Sequence, residues 1–151
     1  FLAENPDSAF AYLELAAIDT GNKQQVSKKS NEYAEKALQL GLSDPYQVAA
    51  ANRMVAQYNL ETGNWDDSIQ AYDHAIAAIK GTGTSLQQIN TLANLYRERS
   101  LVYRRVQKYE LAYADISQAI LLAQQSGQAD LAAAYQEDVV ILENHAGHKL
   151  S

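Results

Sequence analysis

The chain has 151 residues, with 25 Ala and 10 Tyr against 7 Gly, 2 Pro and no Cys; one domain is expected, and disulfides, thiolate metal sites and Cys nucleophiles are excluded. At 47% hydrophobic and 20% charged it can fill a core, and no apolar run approaches the ~18 residues of a membrane span. The formal net charge of −6 opposes general affinity for nucleic acid or anionic lipid, although four of the five Arg residues, Arg97, Arg99, Arg104 and Arg105, lie within nine positions.

Ala is the strongest helix former and breakers are scarce, so an all-α protein is expected. Capping residues and breakers predict helices over about 6–19, 26–40, 45–61, 65–80, 85–106, 109–125 and 128–145. The first and third starts are marked by Asn5-Pro6-Asp7 and Asp44-Pro45, where a capping side chain precedes a Pro at the first helical position. Gly21, Gly41, Gly63, Gly81 with Gly83, and Gly127 fall in five of the six junctions; only Gln107-Lys108 lacks one. Junctions this short make consecutive helices antiparallel hairpins. The start at Phe1, with no basic-then-apolar leader, reads as a piece of a longer polypeptide.

The fourth and sixth helices repeat one apolar face. Trp65, Ser68, Ile69, Tyr72, Ala75, Ile76 and Ile79 recur, at the same offsets, as Tyr109, Ala112, Tyr113, Ile116, Ala119, Ile120 and Ala123, a shift of 44 residues. The second helix keeps only the later half, in Ala34, Ala37 and Leu38. Small residues at Ser68, Ala75, Ala112 and Ala119 let backbones approach, while Trp65, Tyr72, Tyr109 and Tyr113 fill the remaining volume, the three Tyr being expected in the core.

These residues resemble the tetratricopeptide repeat (TPR) family, whose unit sets a small residue on a first helix against Gly-x-Tyr-x-x-Ala opening the second. Val55-Ala56 followed by Gly63-Asn64-Trp65-Asp66-Asp67-Ser68 fits that pattern, as do Ser100 and Tyr103 followed by Lys108-Tyr109-Glu110-Leu111-Ala112; Leu15-Ala16 with Gly21-Asn22 opens a weaker copy. Asn59, Arg99 and Gln107 depart from it. Spacings of 38 (Ala37 to Ala75) and 44 (Ala75 to Ala119) exceed the family's usual length of about 34, as in long-helix relatives. The resemblance implies a right-handed α-solenoid forming a single domain over 1–151, with repeats at about 6–41, 45–80 and 85–125 and a C-terminal helix at about 128–145.

It further implies a concave groove that binds a protein or peptide segment, with no chemistry and no cofactor. In that register Phe10, Leu13 and Ala17, then Arg53, Gln57 and Leu60, then Asn94, Arg97, Leu101 and Arg104 face the groove. Arg offers bidentate donors and Asn or Gln can bind a peptide backbone, so an acidic segment is complementary. The bland alternative for Arg97, Arg104 and Arg105 is a solvated face balanced by Glu98, Glu110 and Asp115. Arg99, inside an apolar stripe, is expected to pair with Asp73 or Asp115.

Asp66-Asp67 at a helix start read as dipole partners rather than a catalytic pair, and His145 with His148 as a polar tail rather than metal ligands. No phosphate loop, nucleophile elbow or His-Glu-x-x-His motif occurs, so an enzyme is not expected. The last helix carries Leu131, Ala134, Tyr135, Val139, Val140, Ile141 and Leu142, more apolar surface than one hairpin contact needs, which allows a homodimer through the terminal helices or a covering segment. The leading reading is an interaction scaffold; the alternative is a regulatory domain that senses a peptide or small ligand.

Overall fold

A computed structural model describes residues 8–150, which are all-α and contain no strand. Seven helices occur among them: α1 (Ala9–Lys23), α2 (Lys28–Leu40), α3 (Pro45–Glu61), α4 (Trp65–Lys80), α5 (Leu86–Arg105), α6 (Tyr109–Gln125) and α7 (Ala129–Ala146). The expected start at Asn5-Pro6-Asp7 lies outside the described residues. The chain divides into two compact units, 1–78 and 79–151, the boundary falling in the last turn of α4.

In the first unit α1 packs on α2 and α2 on α3. Leu13 and Ala16 of α1, Ala34 and Ala37 of α2 and Ala51 of α3 form one buried cluster, flanked by Tyr12, Tyr33, Leu38, Leu42, Met54 and Val55. Four Ala among these five core residues permit close backbone approach, and the Tyr, Met and branched side chains fill the margins. α4 joins this unit through Ser68, whose buried Oγ donates to the Ala56 carbonyl of α3 at 2.8 Å.

In the second unit α5 packs on α6 and α6 on α7. Its buried side chains are larger: Leu92, Leu95, Tyr96 and Val102 of α5, Ile116 and Ile120 of α6, Tyr135 and Leu142 of α7. Tyr109 and Tyr113, expected in the core, are only half-buried, while Tyr96 and Tyr135 are buried instead. A phenol ring reaches the helix margin more readily than Ile, and Ile116 and Ile120 take the central places.

Three turns share one hydrogen-bonded form. Asn64 N donates to Asn59 O, Lys108 N to Tyr103 O and Gln128 N to Ala123 O, while the preceding residue's N–H reaches Leu60 O, Arg104 O and Gln124 O respectively. This double closure needs a left-handed residue, supplied by Gly63 (φ 81°), Gln107 (φ 63°) and Gly127 (φ 74°). Gln107 therefore occupies the glycine position without the glycine.

The α1–α2 junction differs from expectation. α1 runs through Gly21 and stops at Lys23, and Gln24 turns the chain at φ 57°. One exposed helical Gly costs only about 1 kcal/mol. The extra turn places Asp19 where it accepts hydrogen bonds from Ser27 Oγ and Ser30 Oγ, each 2.5 Å, and pairs with Lys23 at 3.0 Å. Ser27 and Ser30 also form the capping box that starts α2.

Candidate functional site

The residues expected to face a partner separate into three groups by environment. Leu13 is buried in the α1–α2–α3 cluster and is core rather than surface; burying a Leu side chain stabilises by roughly 1.5–3 kcal/mol, which no exposed position matches. On α3, Arg53 is exposed and Gln57 and Leu60 are half-buried, four and then three residues apart on one face. Phe10 and Ala17 are exposed on α1.

On α5 the expected row Asn94, Arg97, Leu101 and Arg104 is divided by α7. Gln128 Nε2 donates to Asn90 Oδ1 at 2.8 Å, the Tyr135 hydroxyl to Asn94 Oδ1 at 3.3 Å, and Arg97 Nε to Asp138 Oδ2 at 2.9 Å. The Arg97 guanidinium also lies 5.7 Å from the Tyr135 ring centroid. Its hydrogen bond to Asp138 raises the Arg97 pKa against the opposing effect of burial. Burial raises the Tyr135 pKa, so the phenol remains a donor to Asn94. Asn90, Asn94 and Arg97 thus make a polar seam to the last helix.

Arg99 pairs with Asp115 of α6, with Nε to Oδ2 at 2.8 Å and Nη2 to Oδ1 at 2.7 Å. Tyr96 and Tyr103 flank the guanidinium, their ring centroids 5.6 and 5.7 Å away. This two-point pairing between two largely buried side chains is the structural ion pair that an Arg in an apolar stripe requires. It offers nothing to a ligand.

Leu101 and Arg104 lie beyond the seam on the same face of α5, and both are half-buried. Arg104 forms no ion pair with any described residue, unlike Arg97 and Arg99. Its half-buried guanidinium is therefore left for an incoming carboxylate. Asp138 was not among the acids that sequence proximity suggests for Arg97. No spacing in the sequence announced the seam, since Asn90, Asn94 and Arg97 are 4 and 3 residues apart whereas Gln128, Tyr135 and Asp138 are 7 and 3 apart.

Asp66 and Asp67 lie in the first turn of α4, where acids favour the helix dipole. No group of three or more His, Asp or Glu side chains that could hold a metal ion occurs among the described residues. No helix among them is long and apolar enough to cross a membrane. Comparison of the chain with protein-family models, curated proteins and solved structures returns no significant match.

Proposed function

We propose that this chain is a TPR-like interaction module without catalytic activity of its own, in which each unit presents a face for a partner protein or peptide, the exposed face of α3 in the first and that of α5 in the second. The observation that carries this reading is the division of labour on α5. Arg97 and Arg99 are committed to Asp138 and Asp115, while Arg104, beside Leu101, makes no ion pair among the described residues. A cation beside a half-exposed apolar side chain suits a segment bearing both a carboxylate and an apolar group. On α3, Arg53, Gln57 and Leu60 repeat the same mixture of cation, amide and apolar residue. Hairpin repetition supports the family reading: the turn at Asn59–Asn64 and the turn at Tyr103–Lys108 carry the same hydrogen bonds 44 residues apart.

The test is selection of displayed random peptides on the folded chain. Peptides enriched in Asp and Glu are expected, with affinity for the α5 face reduced about tenfold or more by Arg104→Glu and affinity for the α3 face reduced by Arg53→Glu. Absence of selected peptides, or binding indifferent to both reversals, rejects the reading. If no peptide binds but a small carboxylated ligand raises the melting temperature, the sensor alternative takes its place.

A further inference from the structure

The residues that follow α7 fold back onto the second unit. Gly147 takes φ 77° and its N–H donates to the Glu143 carbonyl at 2.9 Å, which closes the helix and reverses the chain. His148 then stands against the α5–α6 turn, where with Gln107, Lys108, Tyr109, Glu110 and Leu111 it lines an open cavity of about 340 Å³. Leu150 is only 5% exposed, and its N–H donates to Glu143 Oε2 at 2.6 Å. Lys149, between them, is exposed. The segment is thus held chiefly by one apolar side chain and one hydrogen bond to a carboxylate. These gains are of the same order as the conformational entropy lost in ordering the segment, so its docked and released arrangements lie close in free energy.

We propose that the seat of residues 147–150 is a docking site for a partner segment in which a Lys precedes Leu or another large apolar residue. His148, Lys149 and Leu150 hold this seat in cis until such a segment displaces them. The chemistry of the occupant is read first from the one already there: an apolar side chain that is buried, a backbone N–H that reaches a carboxylate, and a cation beside them. Charge is the second argument. Helices α6 and α7 hold six acidic side chains, Glu110, Asp115, Asp130, Glu137, Asp138 and Glu143, and no Lys or Arg. Asp115 and Asp138 are paired with Arg99 and Arg97 of α5, and Lys108 lines the same cavity as Glu110. Glu143 makes no ion pair among the described residues, and the Leu150 N–H is what meets its carboxylate. A segment bearing Lys therefore brings positive charge to an acidic hairpin, whereas an acidic segment is repelled there.

This site is separate from the faces of α3 and α5 and takes the opposite charge, so the two readings fail independently. The test uses the whole chain and a capped peptide with the sequence of residues 144–150, followed by amide chemical shifts at residues 107–111 and 143. Leu150→Asp sets a second acid beside Glu143 and frees the seat. That variant should bind the peptide in the millimolar range or more tightly, and the unaltered chain about three- to tenfold more weakly, because the cis segment competes. A peptide carrying Lys149→Glu should bind the variant about fivefold or more weakly than the parent peptide, and adding Glu143→Gln to the variant should act in the same direction. Leu150→Ala releases the segment more gently, should give an intermediate affinity, and replaces Leu150→Asp if far-UV circular dichroism shows loss of helix. Equal affinity of the unaltered chain and the released variants overturns the proposal, as does indifference to the Lys149→Glu peptide. Absence of shifts at these residues at several millimolar peptide also overturns it and leaves residues 147–150 as a fixed clasp on α7.

Discussion

The hairpin of α3 and α4 and the hairpin of α5 and α6 are two versions of one element, and they solve the same packing problem differently. Shifting by 44 residues maps Ala56 and Ser68 onto Ser100 and Ala112, so each pair has one methyl and one hydroxymethyl, exchanged between helices. In the first, Ser68 Oγ bonds across to the Ala56 carbonyl; in the second, Ser100 Oγ bonds back to Arg97 O in its own helix at 2.5 Å. The same shift maps Val55 and Ala71 onto Arg99 and Asp115. An apolar pair in one copy is therefore an ion pair in the other. The lesson is that the small-residue contact is the invariant of this element, while the neighbouring positions accept either chemistry provided both members change together.

The largest effect should come from breaking that second rule. Asp115→Ala removes the carboxylate that neutralises the largely buried Arg99 and should cost about 3 kcal/mol or more by urea unfolding, while Arg99→Val with Asp115→Ala, which rewrites the pair as Val55 and Ala71, should cost far less than the single change. Equal losses from the single and double variants would show that the ion pair is not the unit of stability. Arg99→Met alone should leave peptide affinity unchanged.

Next come the small residue and the turn. Ser68→Ala should cost about 1 kcal/mol through the lost hydrogen bond to Ala56 O, whereas Ala112, its counterpart, already lacks the hydroxyl and folds without it. At the turns, Gly63→Ala should destabilise by about 1 kcal/mol, because an added Cβ meets only the Trp65 ring at 3.9 Å and the cost is the left-handed backbone. Gln107→Gly should stabilise by about 0.5–1 kcal/mol for the converse reason. Opposite signs at these two positions are the expected thermal-denaturation result; the same sign would break the equivalence of the turns.

The smallest effect separates the units by pH. Hydrogen bonds from Ser27 and Ser30, then from Lys23, hold the Asp19 carboxyl well below its ordinary value of 3.8. A carboxyl depressed by folding contributes stability that is present above 3.8 and is lost progressively as pH falls below it. Asp19→Asn should therefore lower stability at neutral pH and flatten the acid limb below that point. An unchanged acid limb would contradict the role of the α1–α2 junction.

Helix number, the 44-residue echo and the ends at Asp44-Pro45, Gly63 and Gly127 were legible because each rests on a local signal: a cap, a breaker, or an apolar period. Gly21 misled for the same reason, since a lone Gly marks a junction only when the chain turns there. The Asp19–Ser27–Ser30 contacts that hold the longer α1 join residues whose partnership no periodicity announces. Among the candidate binding residues, Asp115 could be anticipated for Arg99 because a charge in an apolar stripe demands a partner one helix away. The seam from Asn94 and Arg97 to Tyr135 and Asp138 could not, since it depends on how α7 lies against α5.

The most direct test of the central claim, that exposed faces of the first helices bind a partner segment, is amide chemical-shift mapping of the chain with a selected acidic peptide. The account predicts shifts concentrated at Leu101 and Arg104 in the second unit or at Arg53 and Gln57 in the first, according to the face for which the peptide was selected, with little change at the exposed Glu32 and Glu35 of α2. Shifts centred on α2, or confined to the α6–α7 hairpin, would contradict it.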